Sequence, residues 1–96
     1  MGKRKDELFK ENYDFNKDIG LLLYKYRKKN NLSQSELGKI VSTSSNTISQ
    51  TELGNRTCNL FNMFLYTNTL NIPSNELIDI LYNDKYLPNE IKIKKS

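Results

Sequence analysis

The stretch from Leu32 to Arg56, LSQSELGKIVSTSSNTISQTELGNR, constrains this 96-residue chain more than any other. Ser33 followed three positions on by Glu36 is a capping-box signature and predicts the start of a helix. Leu37, Ile40 and Val41 then fall at i, i+3 and i+4, one apolar stripe of helical period. Ser42-Thr43-Ser44 interrupts the stripe, and Ser44 can cap a second helix. That helix turns Ile48 inward and stops at Leu53-Gly54, where Gly54 can take the left-handed end position. Two helices of about two turns, joined by a three- or four-residue turn, make a helix-turn-helix. Around Ile48 lie Ser45, Asn46, Thr47, Ser49 and Gln50, all uncharged hydrogen-bonding side chains.

The chain is long enough for one domain. A folded unit over residues 16–82 buries only roughly 60% of its unfolded surface, so a second subunit or a ligand would help it. No apolar run reaches membrane-spanning length and no signal-peptide pattern opens the chain, which reads as cytoplasmic with no membrane partner. Cys58 is the single cysteine, which excludes an intrachain disulfide, and the lack of histidine argues against a zinc site. No metal or cofactor is expected. Nor is an enzyme: there is no glycine-rich phosphate loop and no nucleophile–base pair, and the carboxylates are scattered.

The formal net charge of +4 and the pI near 9.2 permit a nucleic-acid partner without requiring one. The distribution is more telling. Between Leu32 and Leu60, Lys39 and Arg56 offset Glu36 and Glu52. The basic excess lies at Lys3-Arg4-Lys5, at Lys25, Arg27, Lys28 and Lys29, and at Lys85, Lys92, Lys94 and Lys95. Electrostatic attraction to a polyanion would come from these flanks.

The Leu32–Arg56 stretch resembles the helix-turn-helix of the phage-repressor/Cro (xenobiotic-response-element) family of DNA-binding proteins. The match runs without a gap through LSQ.EL, the small residue Gly38, the turn at Ser42, then Ser44, Ile48-Ser49, Glu52 and Gly54. It extends back to Ile19-Gly20 and Arg27, and forward through Leu60, Leu70, Ile72 and Glu76-Leu77, about two thirds of the chain. The fold this implies is all-α: a compact five-helix phage-repressor-like domain over residues 16–82. Its helix-turn-helix spans 33–54, with a mobile arm at 1–15 and a basic tail at 83–96.

The resemblance also implies roles. Residues at the places of Ser45, Asn46 and Gln50 reach base edges in the major groove of double-stranded DNA, with Ser49 a fourth. Asn and Gln match the donor and acceptor that adenine presents there, each good pair worth about 1–3 kcal/mol of discrimination. Gln34 stands at the place of a phosphate-contacting glutamine, and Thr43, Thr47, Asn55 and Arg56 are further backbone candidates. Such contacts position a protein on the duplex without choosing its sequence. Arg27 and Glu52 stand where the family pairs an arginine with a glutamate, tying the first helix to the third. The departures are Gly38 where alanine is usual, Ser42 where glycine is usual, Leu53 in place of a basic or polar residue, and Cys58 where proline is common. Cys58 reads as a small packing residue.

Asn16 can cap the first helix, whose inward stripe is Ile19, Leu22, Leu23 and Tyr26, with Asn30-Asn31 closing it. Before it, KRK reads as a solvated leader or as a basic arm on phosphates. Asn59 caps a fourth helix, Leu60 to Asn71, with Leu60, Met63, Phe64, Thr67 and Leu70 inward by the family pattern. Ile72-Pro73-Ser74 ends that helix and caps a fifth. Phe61, Leu65 and Tyr66, with Ile78 and Leu81 of the fifth helix, exceed one apolar stripe. They mark a twofold interface, or a core covered by the tail. Glu90 to Lys94 alternates charge with isoleucine and reads as a basic tail or an added strand.

The function expected is a sequence-specific transcriptional regulator acting as a homodimer on an inverted repeat, repression being the simplest outcome of occupying a promoter. The alternative is an antitoxin or other interaction module of the same fold whose main partner is a protein.

Overall fold

The computed structural model describes residues 2–87, with side chains from Asp14 onward. Five α-helices follow in order: α1 (Gly2–Lys29), α2 (Gln34–Ile40), α3 (Ser45–Glu52), α4 (Leu60–Leu70) and α5 (Ser74–Leu81). A short 3₁₀ turn, Asp84–Tyr86, closes the described chain. There is no strand among the described residues, and no helix is long and apolar enough to cross a membrane.

The first helix departs from the start expected at Asn16. It runs 28 residues from Gly2, because the segment before Asn16 is rich in helix formers and holds no proline or interior glycine to stop it. Asn16 caps nothing. It is buried in the body of α1, and its Nδ2 donates to Thr57 Oγ1 at 3.0 Å, tying α1 to the α3–α4 loop. The side chains of Lys3, Arg4 and Lys5 and the alternation at Glu90–Lys94 lie outside the described ones.

Local capping chemistry fixes the next three helices. Ser33 Oγ accepts from Glu36 N while Glu36 Oε1 accepts from Ser33 N, both at 2.9 Å, closing a reciprocal capping box on α2. Ser44 Oγ accepts from Thr47 N at 3.1 Å to open α3, and Asn59 Oδ1 accepts from Asn62 N at 2.8 Å to open α4. Among the described residues, three other than glycine adopt left-handed backbone: Asn31, Ser42 and Asn71. The two asparagines end helices, where this conformation is cheapest for a side-chain-bearing residue. Ser42 (φ 60°) makes the turn between α2 and α3 at a cost of about 1–2 kcal/mol. Pro73 precedes α5 and offers no side-chain cap, so the capping expected from Ile72-Pro73-Ser74 is limited to proline's fixed φ.

The core is built from Ile19, Leu22, Leu23 and Tyr26 of α1, Leu37 and Val41 at α2, Ile48 of α3, Tyr66 and Leu70 of α4, and Ile72. Two helix stripes are rotated from expectation. Ile40 is exposed, leaving Leu37 and Val41 to face inward. In α4, Tyr66 is 2% exposed and leaves the set expected at a twofold interface, whereas Leu60 (87%) and Phe64 point to solvent instead of the core. Six of the first seven residues of α4 are apolar, so its period alone does not select a side.

Chain packing continues past Tyr82. The Tyr86 ring meets Phe15 edge to face at 5.2 Å, Tyr86 OH donates to the Asp18 carboxylate, and Lys85 Nζ lies 3.4 Å from Asp18 Oδ2. On the same helix Lys25 Nζ meets Glu76 Oε1 of α5 at 2.9 Å, and Tyr26 OH donates to the other Glu76 oxygen.

Candidate nucleic-acid interface

α3 is anchored on one face and open on the other. Ile48 is buried to 2% exposure, and Thr51 and Glu52 are buried beside it. Behind them α1 approaches so closely that a Cβ on Gly20 would stand 2.4 Å from the carbonyl oxygens of both Thr51 and Glu52. Only a glycine fits there. Residues 45, 46, 49 and 50 repeat at helical spacing on the opposite face. Ser45 and Asn46 are exposed, and Ser49 and Gln50 half-exposed. Among the described residues, none hydrogen-bonds the side chains of Ser45, Asn46 or Ser49. Gln50 Oε1 accepts from Asn55 Nδ2 at 2.9 Å.

A buried ion pair sets the height of α3 over the body. Arg27 Nε and Nη2 donate to Glu52 Oε2 and Oε1 at 2.6 and 3.1 Å, and Nη1 donates to Leu32 O at 2.8 Å. Both side chains are nearly inaccessible, and the hydrogen bond to Glu52 raises the Arg27 pKa. Glu52 Oε1 also accepts from Gln34 Nε2 at 3.0 Å. One carboxylate thus joins α1, α2 and α3.

The residues expected at phosphates are spread around this unit. Gln34 sits on the wall of an open cleft shared with Lys28, Asn31 and Ser33, one amide hydrogen committed to Glu52. Thr47 Oγ1 faces Ser44 Oγ at 3.0 Å, Thr43 is half-buried in the turn, and Arg56 is exposed beyond α3. Asn55 turns its amide to Gln50. Neither the Gln34–Glu52 bond nor the Gln50–Asn55 bond was expected from the sequence. The second had a readable signal: a left-handed glycine at 54 folds the residue after it back on the last turn of the helix. The first, spanning 18 positions between two helices, had none.

Cys58 packs half-buried against the core, and burial pushes its thiol up to about 11. Among the described residues no group of three or more His, Cys, Asp or Glu could hold a metal ion.

An anchored second helix presenting a polar, chargeless face across a four-residue turn defines a helix-turn-helix DNA-binding domain. The model of the helix-turn-helix family HTH_3 matches residues 23–77, more than half of the sequence, and the chain belongs to that family. No curated protein matches it.

Proposed function

We propose that this protein is a sequence-specific transcriptional regulator, acting as a repressor and as a homodimer on an inverted-repeat operator. The observation that carries this reading is the outer face of α3. Four hydrogen-bonding side chains, Ser45, Asn46, Ser49 and Gln50, stand outward there, while Ile48 and the Arg27–Glu52 pair hold the helix from behind. Asn46 and Gln50 match adenine in the major groove, and Ser45 and Ser49 accept more than one base. Gln34, Thr43, Thr47 and Arg56 border that face and would contact phosphates. Lys28, beside Gln34, adds the charge that α3 lacks.

Exposed apolar residues on the last two helices support a second copy. Leu60, Phe61, Phe64, Ile78 and Leu81 are all about half exposed or more, with the Phe61 and Phe64 rings stacked at 6.1 Å. Leu65 is half-buried and contributes its outer edge. In a symmetric dimer the two reading helices lie about 34 Å apart and read half-sites about ten base pairs apart.

Selection of bound sites from a random duplex pool tests the reading. The expected product is a two-fold-symmetric site with A·T pairs where Asn46 and Gln50 read, bound with a salt slope of several charges. Recovery of unrelated sequences, together with tight capture of a different protein by the α4–α5 face, would support the interaction-module alternative instead.

A further inference from the structure

The C-terminal end of α3 links a backbone turn to a side chain of the reading face. Gly54 (φ 82°) is followed by Asn55, whose N–H reaches Gln50 O at 2.9 Å while Gly54 N reaches Thr51 O at 3.1 Å. This pair of bonds is a Schellman closure, which brings together the side chains now carried by Gln50 and Asn55, most often as an apolar contact. Here both are amides, facing each other nitrogen to oxygen at 2.9 Å. α1 holds the turn in place, because a Cβ on Gly54 would stand 2.7 Å from Lys17 Cα.

We propose that Asn55 is a positioning residue for Gln50, fixing the orientation of its amide and so the base that Gln50 reads, and is not a contact to the DNA backbone. The inference rests on the reading of Gln50 as a base contact. A glutamine amide has two donor hydrogens and two acceptor sites. Asn55 occupies one acceptor site on Oε1, leaving the other, and both Nε2 hydrogens, for DNA. Adenine requires one acceptor for its N6 amino group and one donor for N7, which is what remains. Without Asn55 the terminal torsion of glutamine is broad. The amide can then swing until its nitrogen alone meets the O6 and N7 acceptors of guanine. Holding Oε1 in place removes that option and favours adenine.

The test uses the full chain with a duplex taken from the selection above, and copies of it altered at single base pairs. Gln50→Ala identifies the pair that Gln50 reads as the one whose preference disappears, and Asn46→Ala identifies a control pair. Asn55→Leu keeps the backbone closure and can pack on the methylene stem of Gln50, so melting should change little. At the Gln50 pair it should cut the preference for A·T over G·C about fivefold, the weight of one modest hydrogen bond. Preference at the control pair should stand, and in the Gln50→Ala background Asn55→Leu should have no further effect. Equal weakening on every duplex in both backgrounds would make Asn55 a backbone contact and overturn the proposal, as would an unchanged preference. If Gln50→Ala alters no preference at all, the reading of Gln50 fails first, and the proposal falls with it on a distinct result.

Discussion

α3 and α5 are both eight residues long and meet the rest of the fold in opposite ways. α3 is capped by the Ser44 side chain and sinks Ile48, Thr51 and Glu52 into the domain. α5 has no side-chain cap and no fully buried residue; Glu76 ties it to α1 through Lys25 and Tyr26. The outer face of α3 is polar, because its apolar and charged groups are all used inside. α5 instead leaves Ile78 and Leu81 exposed beside Ser74, Asn75 and Asp79, and α4 exposes Leu60, Phe61 and Phe64. One helix buries its apolar residue, and the other leaves two of its apolar residues in water.

The largest test of this contrast is the ion pair beneath α3. Glu52→Ala leaves a buried guanidinium unpaired and frees Gln34, and should cost about 3–5 kcal/mol in urea denaturation. The double change Arg27→Met with Glu52→Leu should recover most of that loss, since the remaining side chains are apolar. A single-variant loss below about 1 kcal/mol would mean that α3 is held by packing alone.

On the other side of the comparison, Phe61→Glu should weaken self-association at least tenfold, or about 1.4 kcal/mol, measured by sedimentation. The stability of the single domain should stay within about 0.5 kcal/mol, because the ring is already in water. Unchanged self-association would remove Phe61 from the interface.

Two smaller effects sharpen the picture of the helix-turn-helix itself. Ser42→Gly relieves the left-handed strain at the turn but adds freedom to the unfolded chain, for a net gain of about 0.5–1 kcal/mol in thermal melting. The weakest is acid sensitivity of the α2 cap. The backbone N–H and hydroxyl of Ser33 hold the Glu36 carboxyl below its usual range. Its contribution is therefore present above the ordinary carboxylate pKa and fades as pH falls through the lowered one. Protection factors of the amides at Ser33 and Glu36 should fall as pH drops below the ordinary carboxylate range, and Glu36→Gln should remove that pH dependence.

Local chemistry made most of this legible from the sequence. Ser33, Ser44 and Asn59 cap the helices they precede, and Asn31 and Gly54 take the left-handed ends. Arg27 and Glu52 were paired through family resemblance; composition alone could not have joined residues 25 positions apart. The start of α1 is not legible at Asn16, which has the right chemistry for a cap but spends it laterally on Thr57. The turn of α4 was missed for a different reason. Leu60, Phe61, Met63, Phe64, Leu65 and Tyr66 surround the helix, so its period does not select Tyr66 as the buried residue and Phe64 as the exposed one. The hydrogen bond from the Asn55 amide to the Gln50 amide follows from Gly54, yet it becomes visible only once the chain has folded back.

The contact at Gly20 limits how the outer face of α3 can move. With α1 against the carbonyl oxygens of Thr51 and Glu52, no side chain cushions the two backbones. Even a methyl group there would lever the end of α3 outward and swing Gln50 with it. In a symmetric pair the error would occur twice, once on each side of the axis. In the proposed dimer on DNA, a neutral-looking exchange far from any base would thus shift both halves of the footprint together.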